Sequence, residues 1–107
     1  MSEPLARRAQ RLTVMLGTQD HAHHQSLAVE LLARAKTAHL AGATLLRGVE
    51  GQGRSGVLHR HHLVGEDAPL ALLVVDDEEK VSAFLEHNQH LLADTVVVVD
   101  DVMVLRA

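Results

Sequence analysis

Two stretches of this sequence are apolar at every position: Leu70-Ala71-Leu72-Leu73-Val74-Val75 and Val96-Val97-Val98-Val99. A strand with one wet face alternates apolar and polar side chains, so an unbroken run reads as a strand covered on both faces. Helices can cover one face of a small sheet. The other would be left as an exposed apolar patch, and packing copies of the chain through their sheets is the simplest remedy. A homo-oligomer is therefore expected before any motif is considered.

The 107 residues suit one domain, with 47% hydrophobic and 22% charged residues as in an ordinary soluble fold. No apolar run approaches the ~20 residues of a membrane span. Met1-Ser2-Glu3-Pro4 opens no signal peptide, so the expected location is cytoplasmic. Without cysteine there is no disulfide, thiolate nucleophile or Cys-ligated zinc. A net charge of −4 speaks against nucleic-acid binding, which needs a basic face. Phe84 is the only aromatic residue among Phe, Tyr and Trp, against nine histidines, so mild acid would carry the molecule through neutrality.

Residues 1–10 have no clear period and read as a flexible lead-in to a single domain at 11–107. Leu12, Val14 and Leu16 alternate with polar neighbours and close on Gly17, which predicts a first strand from Arg11. Leu27, Leu31 and Ala35 recur at helical spacing, with Ser26 as N-cap and Gly42 in place to end the helix. A second strand is expected over 43–49, a glycine-rich loop over 50–62 and a third strand over 70–75. Asp76, with Glu79 three residues on, predicts the cap of a second helix carrying Val81, Phe84, Leu85, Leu91 and Leu92. The last strand, 96–105, is expected to bulge at Asp100-Asp101. The order β-α-β-β-α-β is the α+β, ferredoxin-like plan: a four-stranded antiparallel sheet, order 4-1-3-2, with two helices on one face.

That plan serves many activities, so the residues must choose among them. Strands 1 and 3 carry no aromatics on which RNA bases could stack. Residues 18–25 hold no arginine to cradle a phosphate as acylphosphatases do. Neither a P-loop, a nucleophile elbow nor a dinucleotide fingerprint is visible, and the chain is not expected to be an enzyme.

Two constellations remain. In Thr44-Leu45-Leu46-Arg47-Gly48-Val49-Glu50-Gly51-Gln52-Gly53-Arg54, a strand runs into a glycine-rich turn beside two arginines. Glycines let backbone N–H groups approach an anion, and arginine forks onto phosphate or carboxylate. The second is a repeated His-x-His-His: His21, His23 and His24, then His59, His61 and His62. Strands 1 and 2 run parallel in this plan, so both clusters leave the same end of the sheet. They are candidate ligands for a divalent metal. Taken by spacing alone, solvated loop side chains are the plainer reading of each constellation, and a structural interaction module with no ligand is a third option.

The run from Leu40 to Gly53 resembles the "LAGATVLRGIEGFG" signature of the domain of unknown function 190 family. Val74 to Val81 is similar to that family's "IVDTEEKI", and Leu12 to Gly17 to the start of its first strand. The resemblance implies a PII-like fold, a homotrimer with its sheets packed inward. The same stretch is more distantly similar to the PII signalling proteins. That similarity implies a T-loop over 50–62 and inter-subunit clefts where Thr44, Gly51, Gly53 and Arg54 hold an adenine nucleotide; with Arg47 of the same constellation they are the expected site for a small anionic effector. It also implies a protein partner, such as a membrane transporter or channel, engaged by the loop. Gln52 replaces the family's usual phenylalanine. Residues 88–95 hold neither the glycines nor the lysine with which PII proteins wrap ATP phosphates, which favours a smaller anion or nucleotide. The alternative is a CutA-like trimer that binds divalent metal through the histidine clusters.

Overall fold

A computed structural model of the protein describes residues 6–22, 24–52, 58–60 and 68–106. Four strands form the main sheet: β1 (Arg7–Gly17), β2 (Thr44–Arg47), β3 (Pro69–Asp76) and β4 (Val96–Val104). Their order across it is β2-β3-β1-β4, and every neighbouring pair is antiparallel. Helices α1 (Leu27–Thr37), α2 (Glu78–His87) and the short α3 (Gln89–Leu92) lie on one face. This is the ferredoxin-like α+β arrangement expected from the element order. Two minor ladders add to it, His21–Ala22 with Gln25–Ser26 and Glu50–Gln52 with Leu58–Arg60.

The period-2 pattern sorts the sheet. Leu12, Val14, Leu70, Leu72 and Val74 turn toward the helices and are at most 8% exposed. There they meet Leu27, Leu31 and Ala35 of α1, Val81 and Phe84 of α2, and Leu91 and Leu92 of α3. The opposite face carries Met15, Leu46, Val75 and Val98, which are 48%, 49%, 37% and 41% exposed. One chain therefore presents the bare apolar face anticipated from its unbroken runs.

Several boundaries differ from expectation, each for a local reason. β1 starts at Arg7, so Arg7–Gln10 belong to the sheet rather than to a lead-in. Before Gln10, which lies opposite Asp76, β1 has only β4 beside it, and of Arg7, Arg8 and Ala9 only Ala9 is buried, so no apolar alternation marks the stretch. β4 does not bulge: its register is unbroken from Arg7↔Val104 to Met15↔Val96. The aspartates instead face polar partners across the strand. Arg11 donates to Asp100 through Nε at 3.1 Å and Nη2 at 2.7 Å, and Gln10 donates to Asp101 at 3.3 Å. Asp100 raises the Arg11 pKa by hydrogen bonding first and charge second, so this guanidinium stays protonated.

Helix α1 is capped by Ser26, whose Oγ accepts from Val29 N at 3.4 Å, as expected. Its C-terminus does not use Gly42. His39 takes the left-handed position at φ 58°, with His39 N donating to Lys36 O and Leu40 N to Ala35 O, the paired bonds of a Schellman motif. Asp76 is not the cap of α2 either: Asp77 is, and its side chain makes no capping bond. Asp76 is turned inward at 3% exposure, and accepts from Ala41 N and Asp77 N at 2.7 Å each. Asn88, between α2 and α3, is also buried. It accepts from Arg34 Nη1 at 3.0 Å and donates to Phe84 O at 2.7 Å, clamping α1 to α2.

Candidate functional site

Because β1 and β2 both run antiparallel to β3, their C-terminal ends emerge at one end of the sheet. The N-terminal ends of β3 and β4 lie there too, since Gly17 pairs with Pro69 and Met15 with Val96. Short bonds draw the connections together. Thr18 N donates to Ala68 O at 3.0 Å, and Ala68 N returns a bond to Thr18 Oγ1 at 2.9 Å. Gly48 N donates to Pro69 O at 2.7 Å. The Gly48 approach has no room for a side chain, for a Cβ there would stand 2.7 Å from Pro69 Cγ. That glycine lets the exit of β2 close against Pro69.

The anion-binding candidates divide. Thr44 and Arg47 are both exposed on β2, but they lie three residues apart on an extended strand and point to opposite faces of the sheet. Thr44 pairs with Leu73, whereas Arg47 is at the loop end opposite Leu70. One chain therefore does not bring these two side chains together. Gly51 follows in Glu50–Gln52, paired with His59. Gly53 and Arg54 lie outside the described residues, as does much of the 50–62 segment.

Of the histidines, His21 and His24 are exposed in the β1–α1 connection, His24 with φ 69°. The His21 ring meets Gln19 O through Nδ1, where a ring N–H donates to the carbonyl. His23, His61 and His62 lie outside the described residues. Among the described residues, no three His, Asp or Glu side chains converge on a point where a metal ion could sit.

A half-open cleft of about 470 Å³ occupies the same end, between the connection after β1 and the segment before β4. Asp20 and His21 form one wall, His90 and Asp94 the other, and Leu27 and Leu91 lie between them. Asp20 is partly committed, because its Oδ2 accepts from Gly17 N at 2.8 Å. The side chains of His90 and Asp94, by contrast, make no hydrogen bond or ion pair among the described residues. Nothing in the local sequence around either residue singles it out. The signal that reveals them is topological: pairing β1 with β4 brings residues after Gly17 beside residues before Val96.

The fold is that of the PII-like proteins. CPII, a nitrogen regulatory PII-like protein from Thiomonas intermedia K12 solved with ADP, AMP and bicarbonate, is similar with a TM-score of 0.72 and 25% identity, covering 94% of this chain and 92% of that one. A putative PII-like signaling protein from Thermus thermophilus matches at TM-score 0.67 and 16% identity, over 94% of this chain and 92% of that one. The chain belongs to the DUF190 family, described as an uncharacterized ACR, whose model matches residues 9–104. A UPF0166 protein from Aquifex aeolicus (strain VF5) is 34% identical over 76 residues, which is 64% of this chain and 72% of the relative. No helix among the described residues is long and apolar enough to cross a membrane.

Proposed function

We propose that this protein is a PII-like regulator that binds a small anionic effector, an adenine nucleotide, and relays its presence to a protein partner. The observation that carries the reading is the likeness to CPII over 94% of the chain, CPII being a protein solved with ADP, AMP and bicarbonate. The bare apolar face of Met15, Leu46, Val75 and Val98 supports a homotrimer with the sheets inward. Trimer formation would also resolve the separation of Thr44 from Arg47, because a cleft between subunits draws its two walls from different chains.

In this account Arg47, Gly51, Gly53 and Arg54 receive the anionic part of the effector. The 50–62 segment then changes order and engages the partner, a membrane transporter or channel being the kind the resemblance implies. No covalent chemistry is involved; the response is a shift between ordered and released loop states. Isothermal titration of the full chain with ADP, AMP and bicarbonate tests this. Binding of ADP that is weakened at least tenfold by Arg47→Ala with Arg54→Ala is the expected result. Unchanged affinity in that double variant would overturn the assignment of the anion site.

A further inference from the structure

The strand registers arrange the bare face of the sheet in rows. Leu46, Ala71, Met15 and Val96 form one row, and Thr44, Leu73, Thr13 and Val98 the next. The row after that is Val75, Arg11 and Asp100. The first two rows hold no charged residue; the third sets a guanidinium and a carboxylate beside them. Arg11 and Asp100 stand directly opposite each other on β1 and β4, with side chains 49% and 41% exposed. Arg11 engages both oxygens of Asp100, Nε donating to one and Nη2 to the other. In water such a pair contributes little. Its consequence comes when the face is covered. A lone charge buried there would carry its full desolvation cost, whereas a forked pair enters already neutralised and hydrogen-bonded.

The pair also has capacity left over. Two of the five guanidinium N–H donors are used and each Asp100 oxygen keeps a lone pair, so donors and acceptors lie side by side without further partners among the described residues. A patch bearing both signs next to each other is complementary to a copy of itself. A partner of one sign would satisfy only half of it. Resting on the sheets-inward assembly proposed above, we infer that the bare face takes a second copy of this chain and that Arg11 and Asp100 bridge the two copies. The remaining donors of one guanidinium meet the carboxylate of the next chain. Apolar contact is non-directional, so rows of Met, Leu and Val alone leave the copies free to slide. The charged pair fixes their register.

Native mass spectrometry and sedimentation of the full chain test this on the parent, on Arg11→Asp, on Asp100→Arg and on the two variants mixed, with circular dichroism checking that each keeps the fold. The parent should assemble. Arg11→Asp places two carboxylates at the contact and Asp100→Arg two guanidinium groups, so each alone should assemble more weakly by about tenfold or more. Mixed in equal amounts, the two variants should form mixed assemblies, because opposite charges then meet only between chains. Should a charge reversal fail to fold, Asp100→Asn takes its place and should weaken assembly by about tenfold, the loss of a charge-assisted contact. If the parent assembles and the variants assemble as tightly, the pair is an ordinary surface contact and the inference is overturned. It is equally overturned if the reversed variants dissociate and mixing restores nothing, for the pair then acts within its own chain. A parent that stays a single chain would instead remove the assembly reading, and this inference with it.

Discussion

The two ends of the sheet use the same residue types to opposite effect. At the end where β3 hands over to α2, Asp76 is buried and both carboxylate oxygens accept backbone N–H groups, while Arg7 pairs with Asp77. At the other end, Asp94 and His90 line an open cleft without partners among the described residues, and Arg47 is exposed. A carboxylate that closes a turn is spoken for by the backbone. One that faces a cleft has its hydrogen-bonding capacity left for something else. On the proposed reading, function sits at the loop end and stability at the turn end.

If that division is right, substitutions at the two ends should separate cleanly in denaturation experiments. Asp76→Ala should have the largest effect, lowering stability in urea by about 1.5–3 kcal/mol, because two N–H groups lose a charged acceptor. A loss below about 0.5 kcal/mol, the range of ordinary surface changes, would break the comparison. Gly48→Ala comes next. Its new methyl overlaps Pro69 and should cost about 1–3 kcal/mol through overpacking, so the loop end also has one structural pin. His39→Gly should be stabilising by up to about 1 kcal/mol, since it relieves the left-handed conformation that closes α1. Asp94→Ala should be the smallest, within about 0.5 kcal/mol of the parent in stability.

Most of the architecture is legible in the sequence, because period 2 marks the first strand, unbroken apolar runs mark the third and fourth, and period 3.6 marks the helices. The double-sided runs at 70–75 and 96–99 already imply the bare face. What escapes a reading of the sequence depends on tertiary surroundings. Arg7–Gln10 lack alternation because only one strand accompanies most of them, so nothing local marks them as sheet. Asp76 and Asp77 are interchangeable as letters, and only packing decides which one turns inward. Glycine tolerates positive φ most easily and is the natural choice to end α1, yet His39 takes that conformation while Gly42 stands in open space. The cleft joins Asp20 and His21 to His90 and Asp94 across most of the chain length, a juxtaposition that exists only once β1 and β4 are paired.

The central claim, a PII-like assembly that takes an adenine nucleotide at the loop end of each sheet, is tested most directly by native mass spectrometry of the full chain with ADP. The account predicts the mass of three chains carrying up to three ADP molecules, with the adducts lost in the Arg47→Ala, Arg54→Ala double variant while the trimer persists. A single chain without adducts, or a trimer that keeps its ADP in the double variant, would contradict it.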